Sequence, residues 1–347
     1  MKKVLLFVAA LLTAWVLTPY TASAQEYTSE AEALASANAS DYEIQGEYFV
    51  PGDGRAFQVI AKGNGQFRVI GYPGGLPGNG WDRTMARFFG DGEMKDGKLV
   101  VVGEKMNIPS REEPNIIFND EQKKRLLAGY KEGDEYFLIY KDKTSPMEKV
   151  RRESPTLGQP APEGAFVIFD GSNLDNFLEG AKMNEEAKTL WSEATTVPFE
   201  KDRPYLLHLE FLTSFMPNSE GQARSNSGVY IAQSYECQVL DSFGLEGENN
   251  ECGGFYQAER PLVNMCLPPL TWQTYDFEFT PAKYEEGKKV ANARVSVAHN
   301  GVLIQDDLEL KDATPGCLPE ADEARGLFLQ GHGNKVQYRN IWLEYLD

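Results

Sequence analysis

Two polar side chains on one predicted strand are the residues best suited to chemistry. The stretch 226–242, NSGVYIAQSYECQVLDS, predicts two short strands, NSGVYIA and YECQVLD, joined by a tight polar turn. Because successive side chains of a strand point to opposite faces, Glu236 and Gln238 share a face, roughly 6–7 Å apart. A carboxylate on an otherwise apolar strand is costly unless it is satisfied or used. We therefore take Glu236 as the leading catalytic acid or base; the alternative is a structural carboxylate paired with an arginine such as Arg339.

Three further polar residues could complete a catalytic group. His332 lies between two glycines in QGHGNKV and histidine titrates near neutrality, so it is a second acid–base candidate or a metal ligand. The alternative is a turn histidine that bonds the backbone. Asp241 follows the predicted strand end, where it could orient a partner, bind a metal or cap the strand. Arg339 could bind a sugar hydroxyl, stabilise an enolate oxygen or hold Glu236 in place.

Amide and aromatic side chains in the same half of the chain suit a sugar ligand. Gln238 and Asn226 could read hydroxyl groups through paired donors and acceptors. Tyr256 and Trp272 are candidates to stack on a sugar ring, with a place in the core as an equal alternative.

A metal and a conventional glycosidase mechanism both stay open. Glu236, Asp241 and His332 could together hold a divalent ion if the fold brings them to ligand distance. No compact ligand motif such as H-E-x-x-H occurs, so no metal site is predicted. A two-carboxylate glycosidase would need a second acid facing Glu236, and Asp241 is the obvious candidate.

The elements that must position these residues are predicted to be strands throughout. Residues 165–347 contain many runs with period-two alternation, at the spacing of an all-β sandwich. Residues 25–148 predict a small antiparallel β domain with 135–142 as its last strand, after a short helix or frayed start at 26–40. Between them, 149–164 carries three prolines and predicts a semi-rigid linker.

Export is predicted by the first residues. Residues 1–24 combine a basic start, an apolar run and a small-residue cleavage site, as in a secretory signal peptide, and no later segment is apolar enough to span a membrane. We expect a periplasmic or extracellular protein. The net charge of −18 argues against nucleic acid as a partner. Four cysteines allow three pairings, of which we predict Cys252–Cys266.

The C-terminal half resembles the 3-keto-disaccharide hydrolase family. The motifs FVIFDGSNLDNF, NSGVY, YECQVLDS, GGFY, HNGV, LFLQGHG and VQYRNIWL occur in that family's order over 165–347. The resemblance implies a concanavalin A-like jelly-roll sandwich that acts on glycosides oxidised to a ketone at C3. Two positions depart from the family pattern: Gly331 stands where an aspartate is common, and Phe177 where a tryptophan is common.

The expected protein is therefore an exported, all-β enzyme that cleaves 3-keto-glycosides by removal of the C2 proton, followed by elimination or net hydrolysis. Two alternatives remain at this point: a non-catalytic lectin-like sandwich, since fold alone does not settle function, and an ordinary glycoside hydrolase.

Overall fold

The structure is a computed structural model that describes residues 25–123, 127–140 and 143–346. The predicted signal peptide, 1–24, lies outside the described residues. Within them the fold is almost entirely antiparallel β structure, as predicted, and no helix is long and apolar enough to cross a membrane.

The first domain contains three short helices and eleven strands. They are α1 (Glu30–Leu34), α2 (Ala39–Ile44), β1 (Gly46–Phe49), β2 (Ala56–Gly63), β3 (Gln66–Tyr72), β4 (Leu76–Pro77), β5 (Gly80–Trp81), β6 (Arg87–Lys95), β7 (Lys98–Asn107), β8 (Asn115–Ile117), α3 (Asp120–Lys123), β9 (Leu127–Glu132), β10 (Glu135–Tyr140) and β11 (Lys143–Val150).

Eight of these strands close into a barrel. The strand order is β6-β3-β2-β1-β11-β10-β9-β7, and the pairing of β7 with β6 closes the barrel. β8 pairs with the C-terminal end of β7, residues 105–107. Phe57, Val59 and Ala61 of β2 point inward, while Ile60 points outward to the second domain. The alternation of β2 thus gives the barrel wall two apolar faces.

The last barrel strand was missed by the sequence prediction. β10 ends at Tyr140 and is followed by β11, which reaches two residues into the predicted linker. β11 contains Pro146, which has no backbone N–H to donate. β1 pairs with β11 only at residues 148–150, so Pro146 has a strand neighbour on one side alone. Proline is tolerated in such edge positions.

The second domain is a sandwich of two antiparallel sheets. Its elements are β12 (Phe166–Phe169), β13 (Met183–Asn184), β14 (Thr189–Trp191), β15 (Ala194–Thr195), β16 (Tyr205–Leu212), the 3-10 helix Gly221–Ala223, β17 (Ser227–Ile231), β18 (Tyr235–Val239), β19 (Gln273–Thr280), β20 (Lys283–Glu285), β21 (Lys288–Ala291), β22 (Ala293–His299), β23 (Val302–Leu310), β24 (Phe328–Leu329) and β25 (Gln337–Tyr345).

The larger sheet has the order β13-β14-β25-β16-β19-β22-β23, with β12 also paired to β25, and the smaller sheet is β15-β24-β17-β18. Inward-facing aromatic residues such as Phe211, Tyr275 and Tyr338 fill the space between them. This is the jelly-roll-type architecture that the resemblance implies.

The segment 151–164 is a strap packed on both domains rather than a free linker. Arg152 makes two 2.6 Å hydrogen bonds to the buried carboxylate of Glu47 in the barrel. Further along, the Thr156 hydroxyl donates to Asp276 at 2.7 Å and the Gly158 N–H to Glu210 at 2.6 Å, both on the outer face of the larger sheet. The prolines give the strap an extended path, and these contacts hold it against the sandwich.

The two domains share one apolar core. The cluster between the sheets continues to the outer wall of the barrel through Ile60, Tyr72, Trp81 and Phe89. The Arg83 guanidinium also donates to the carbonyl oxygens of Gly247, Pro261 and Leu262. The barrel is thereby fixed to the loops at one end of the sandwich.

Candidate active site

Strands β17 and β18 build the candidate site on the outer face of the smaller sheet. Tyr230 pairs with Glu236 and Gly228 with Gln238, and these four side-chain positions share one face. Val229, Cys237 and Val239 point the other way into the core. The alternation predicted for Glu236 and Gln238 is confirmed, and Glu236 is not turned into the packed interior.

Glu236 is a buried carboxyl group with a perturbed acidity. The residue is 2% exposed. Burial raises the pKa of Glu236 to about 7, although a hydrogen bond from the Tyr230 hydroxyl favours the ionised form. A carboxyl group that titrates near neutrality can accept a proton and release it again at physiological pH.

Gly228 makes room for this carboxyl group. A Cβ added to Gly228 would collide with a carboxylate oxygen of Glu236 and would lie 2.9 Å from the Tyr230 ring. Only glycine, without a side chain, leaves the carboxylate in its present place. The glycine of the NSG motif is thus explained by packing at the site.

Tyr230 connects Glu236 to the neighbouring strand β24. The Gln330 side-chain amide donates to the Tyr230 hydroxyl at 2.7 Å, and Phe328 contacts the Tyr230 ring edge-on at 5.2 Å between centroids. The Gln330 Oε1 atom is buried and has no hydrogen-bond partner among the described residues. Of the three neighbouring side chains Gln330, Tyr230 and Glu236, Gln330 thus has an acceptor atom, Oε1, that receives no hydrogen bond from the described residues.

The loop after β23 packs along β18. The Glu236 N–H donates to Thr314 Oγ1 at 2.8 Å, and the Thr314 hydroxyl also contacts the Cys317 thiol at 3.1 Å. Burial raises the pKa of Cys317 to about 12, so that its thiol stays protonated. The loop therefore offers no thiolate nucleophile beside Glu236.

Tyr256 lies beside the site, whereas the amides are already in use. The Tyr256 N–H donates to the Glu236 carbonyl at 3.0 Å, and its side chain is half-buried. The Gln238 amide donates to Asn226 Oδ1 at 2.8 Å, and the Asn226 amide donates to Gln222. Gln238 and Asn226 therefore support the sheet edge through contacts with each other. In this arrangement neither side-chain amide has a free N–H to donate to a sugar hydroxyl, as was predicted for both.

Asp241 is not part of the site. Its carboxylate accepts a 2.7 Å hydrogen bond from Arg224, and both side chains are buried. Arg224 also donates to the Ala61 carbonyl at 3.0 Å and contacts Gln45, both in the barrel. The prediction of Asp241 as a catalytic residue is corrected: the ion pair fixes the domain interface.

Arg339 and Trp272 lie on the opposite side of the sandwich. Tyr338 points inward from β25 and its hydroxyl contacts Ser227 at 2.6 Å, so the adjacent Arg339 points outward from the larger sheet. There Arg339 donates to Glu210 at 2.6 Å and lies over the Trp272 ring at 4.0 Å. Arg339 therefore does not hold Glu236, and Arg339 and Trp272 lie on the other side of the sandwich from that carboxyl group.

The outer face of the larger sheet carries its own network. His208 contacts Asp276 at 2.6 Å, and Asn340 donates to Glu210 at 2.9 Å. Burial opposes ionisation of Glu210, but hydrogen bonds from His208, Asn340, Arg339 and the Gly158 N–H lower its pKa to about 2. Because the strap covers this network and every member is paired, we interpret it as structural.

His332 is exposed in the loop between β24 and β25, two residues after Gln330. A Cβ built on the neighbouring Gly331 would lie 2.7 Å from Glu193 Cβ and 3.3 Å from its carboxyl carbon. Glu193 thus places a carboxyl group beside the position where the family commonly has an aspartate. Glu193 and Tyr230 are not among the residues predicted for the site, although strand alternation in the β17–β18 hairpin places Tyr230 on the same face as Glu236.

The cysteines do not pair as predicted, and the three residues considered as possible metal ligands lie apart. All four cysteines are free thiols, so Cys252 and Cys266 do not form the predicted disulfide in this structure, although their side chains are in hydrogen-bond contact. Among the described residues, no group of three His, Cys, Asp or Glu side chains could hold a metal ion. Glu236, Asp241 and His332 do not form such a group.

Comparison with known proteins gives a family match over the sandwich. Residues 164–344 match the family described as "3-keto-alpha-glucoside-1,2-lyase-like domain". Two similar crystal structures are each named a "putative glycosyl hydrolase" from Parabacteroides distasonis ATCC 8503. The first is 27% identical over 54% of this chain and 86% of its own, with a TM-score of 0.48. The second is 16% identical over 53% and 95%, with a TM-score of 0.37. No curated protein matches this chain.

Proposed function

The chain belongs to the 3-keto-alpha-glucoside-1,2-lyase-like family, and we propose that it is an exported enzyme that cleaves the glycosidic bond of 3-keto-glycosides. Family membership makes it a carbohydrate-active enzyme of the glycosidase type. The 3-keto substrate and the location are the parts that we propose. The observation that carries the proposal is the buried, near-neutral carboxyl group of Glu236 on the outer face of the smaller sheet.

A ketone at C3 makes proton abstraction the natural first step. The C3 carbonyl acidifies the proton on C2, and a base that removes it leaves an enolate. The electron pair then forms a C1–C2 double bond while the C1–O bond breaks and the leaving oxygen takes a proton. Addition of water across that double bond, with the hydroxyl on C1 and the proton on C2, gives net hydrolysis.

Glu236 suits the role of the base. A base works best when its pKa lies near the working pH, and burial brings the pKa of Glu236 to about 7. The neighbouring Tyr230 hydroxyl favours the ionised form of the carboxylate, and the Gln330 amide donates to that hydroxyl. After proton transfer the neutral acid tolerates the buried position better than the carboxylate does.

The leaving oxygen needs a proton donor, and the loop after β24 offers two groups. His332 presents an exposed imidazole there, and Glu193 lies against the adjacent Gly331. We assign the proton to His332 and an orienting role to Glu193. The variants Glu193→Gln and His332→Gln separate these roles: loss of rate should be greatest for His332→Gln with substrates whose aglycone is a poor leaving group.

The conventional two-carboxylate mechanism is less well supported. It requires a second acid across the scissile bond from Glu236. Asp241, the predicted candidate, is engaged by Arg224 at the domain interface. An elimination that starts at C2 needs one base at that position and fits the residues present.

The test compares oxidised and unoxidised substrates. Wild type, Glu236→Gln and the control Glu278→Gln, an exposed strand glutamate, are given a 3-keto-glucoside and the matching glucoside, and aglycone release is followed. We expect wild type and Glu278→Gln to release aglycone from the keto substrate alone, and Glu236→Gln to lose this activity. Release from both substrates would favour an ordinary glycosidase, and binding without release a lectin-like role. Full turnover by Glu236→Gln would remove the assignment of the base.

Export is proposed from residues 1–24, which have the composition of a secretory signal peptide. Expression of the full chain in a bacterium, followed by N-terminal sequencing of the periplasmic protein, should give a first residue near Gln25. Retention of Met1 on cytoplasmic protein would contradict this proposal.

A further inference from the structure

The barrel of the first domain is hollow. The upper cavity, at the end where β8 pairs with β7, has a volume of about 510 Å³, and the lower cavity has a volume of about 220 Å³. Phe57 and Leu127 line both cavities. Protein cores are packed to nearly crystalline density and leave few voids larger than a water molecule. Space of this size inside an eight-stranded barrel is typical of barrels that hold one small ligand.

The wall of the upper cavity is mainly apolar. Phe88 of β6, Met106 of β7, Ile116 of β8 and Phe118 line it. Met106 and Ile116 form a cross-strand pair, so their side chains stand side by side at the upper end. A cavity with such walls favours an apolar ligand body, since burial of apolar surface is the main source of its affinity.

Among the described residues, the charged side chains that line the upper cavity are all arginines, and the exposed Arg111 marks its mouth. Arg55, Arg87 and Arg111 line the upper cavity, and no acidic side chain among the described residues does so. Arg55 is paired with Asp53, and Arg87 is paired with Glu246 of the sandwich. The Arg111 guanidinium has no hydrogen-bond or ion-pair partner in the described part of the chain. An arginine in this position can bind a carboxylate, sulfate or phosphate group with two parallel hydrogen bonds.

From the apolar wall and the cationic mouth, we propose that the barrel binds one amphipathic small molecule with an anionic headgroup. The apolar body lies between Met106, Ile116 and Phe118, and the headgroup lies at the mouth beside Arg111. This site is on a different domain from Glu236 and does not depend on the proposed glycosidase activity.

The test uses the full chain and decanoate as the probe. Titration calorimetry should show saturable binding of one decanoate per chain. Met106→Trp/Ile116→Trp places two indole rings inside the cavity and should weaken binding at least tenfold. The control Val102→Trp/Ile117→Trp changes exposed neighbours on the same two strands, at 42% and 65% exposure, and should bind like wild type.

A second variant tests the headgroup. Arg111→Gln should weaken decanoate binding about fivefold to tenfold and leave the binding of uncharged decanol unchanged. Thermal unfolding of each variant confirms that the barrel is intact. The proposal is overturned if wild type shows no saturable binding at millimolar decanoate, or if the inward double variant binds as well as its outward control. If Arg111→Gln weakens the binding of decanoate and decanol equally, the assignment of an anionic headgroup is overturned.

Discussion

Substitution of Gly228 by alanine is the most direct test of the proposed site geometry, because it adds one methyl group and removes no functional group. The new Cβ would lie 3.0 Å from the Glu236 carboxyl carbon and 2.9 Å from the Tyr230 ring. Both separations are far inside van der Waals contact, so the carboxylate must move or rotate away. Displacement of a catalytic group by about 1 Å can lower the rate by about 100-fold.

The same methyl group should have only a moderate effect on stability. Overpacking at one position typically costs about 1–3 kcal/mol, and Glu236 can relieve part of the contact by rotation. We therefore expect Gly228→Ala to fold, with a somewhat lower Tm, and to lose about 100-fold in kcat/KM on a 3-keto-glucoside. The pKa of Glu236, measured from the pH profile of the residual activity, should also change.

A matched glycine controls for the substitution itself. Gly129 is also in a strand, but a Cβ there would meet its nearest atoms at 3.7 and 3.8 Å, which are ordinary contacts. Gly129→Ala should keep the wild-type kcat/KM and nearly the wild-type Tm. If Gly228→Ala retains wild-type kcat/KM with a normal melting transition, the position of the Glu236 carboxylate is not essential and the assignment of the base is refuted.

Three further predictions follow from the site and its surroundings. Because Glu236 acts as a base in its ionised form, kcat/KM should rise with pH through about 7. The pKa of Glu236 is higher in the folded than in the unfolded protein, so the protein should be most stable below about pH 4.5 with respect to this group. Between that pH and pH 7 the free energy of unfolding should fall by about 3 kcal/mol. Glu236→Gln should abolish that part of the pH dependence in chemical unfolding, and an unchanged profile would contradict the perturbed acidity. Asp241→Asn leaves the Arg224 guanidinium buried without its counter-ion and should lower the free energy of unfolding by about 3–5 kcal/mol. Activity should be retained at low temperature, and a loss of kcat in folded protein would indicate a catalytic role for Asp241. Arg339→Ala should lower Tm, since Glu210 loses a partner, and should leave kcat/KM unchanged; a large loss of kcat/KM at full folding would contradict the placement of Arg339 on the far side.

Strand alternation was sufficient to predict which side of β18 carries the Glu236 side chain. The period of two places Glu236 outward and Cys237 in the core, and the structure agrees. The fold class also follows from the sequence, because turn signals and alternating runs are local properties. The pairing of Tyr230 with Glu236 is nearly local too, since the two strands form one hairpin.

Long-range placement could not be predicted in the same way. Alternation makes Arg339 outward-facing, but it does not say which of the two sheets the strand joins, and that decides whether Arg339 meets Glu236 or Glu210. The role of Asp241 depends on Arg224 and on a carbonyl group of the barrel, 163 positions earlier than Arg224. The strap was recognised by its prolines, but its partners lie on strands distant in sequence.

The shared core has a consequence for how this protein can be shortened. A fragment that begins at residue 165 would keep every strand of the sandwich and lose the first-domain residues that share its core, Ile60, Tyr72, Trp81 and Phe89. It would also lose Arg152 and the strap residues that cover Glu210. Bacterial production of the sandwich alone should therefore give aggregated protein. A protease should remove the first domain only after the whole chain has unfolded.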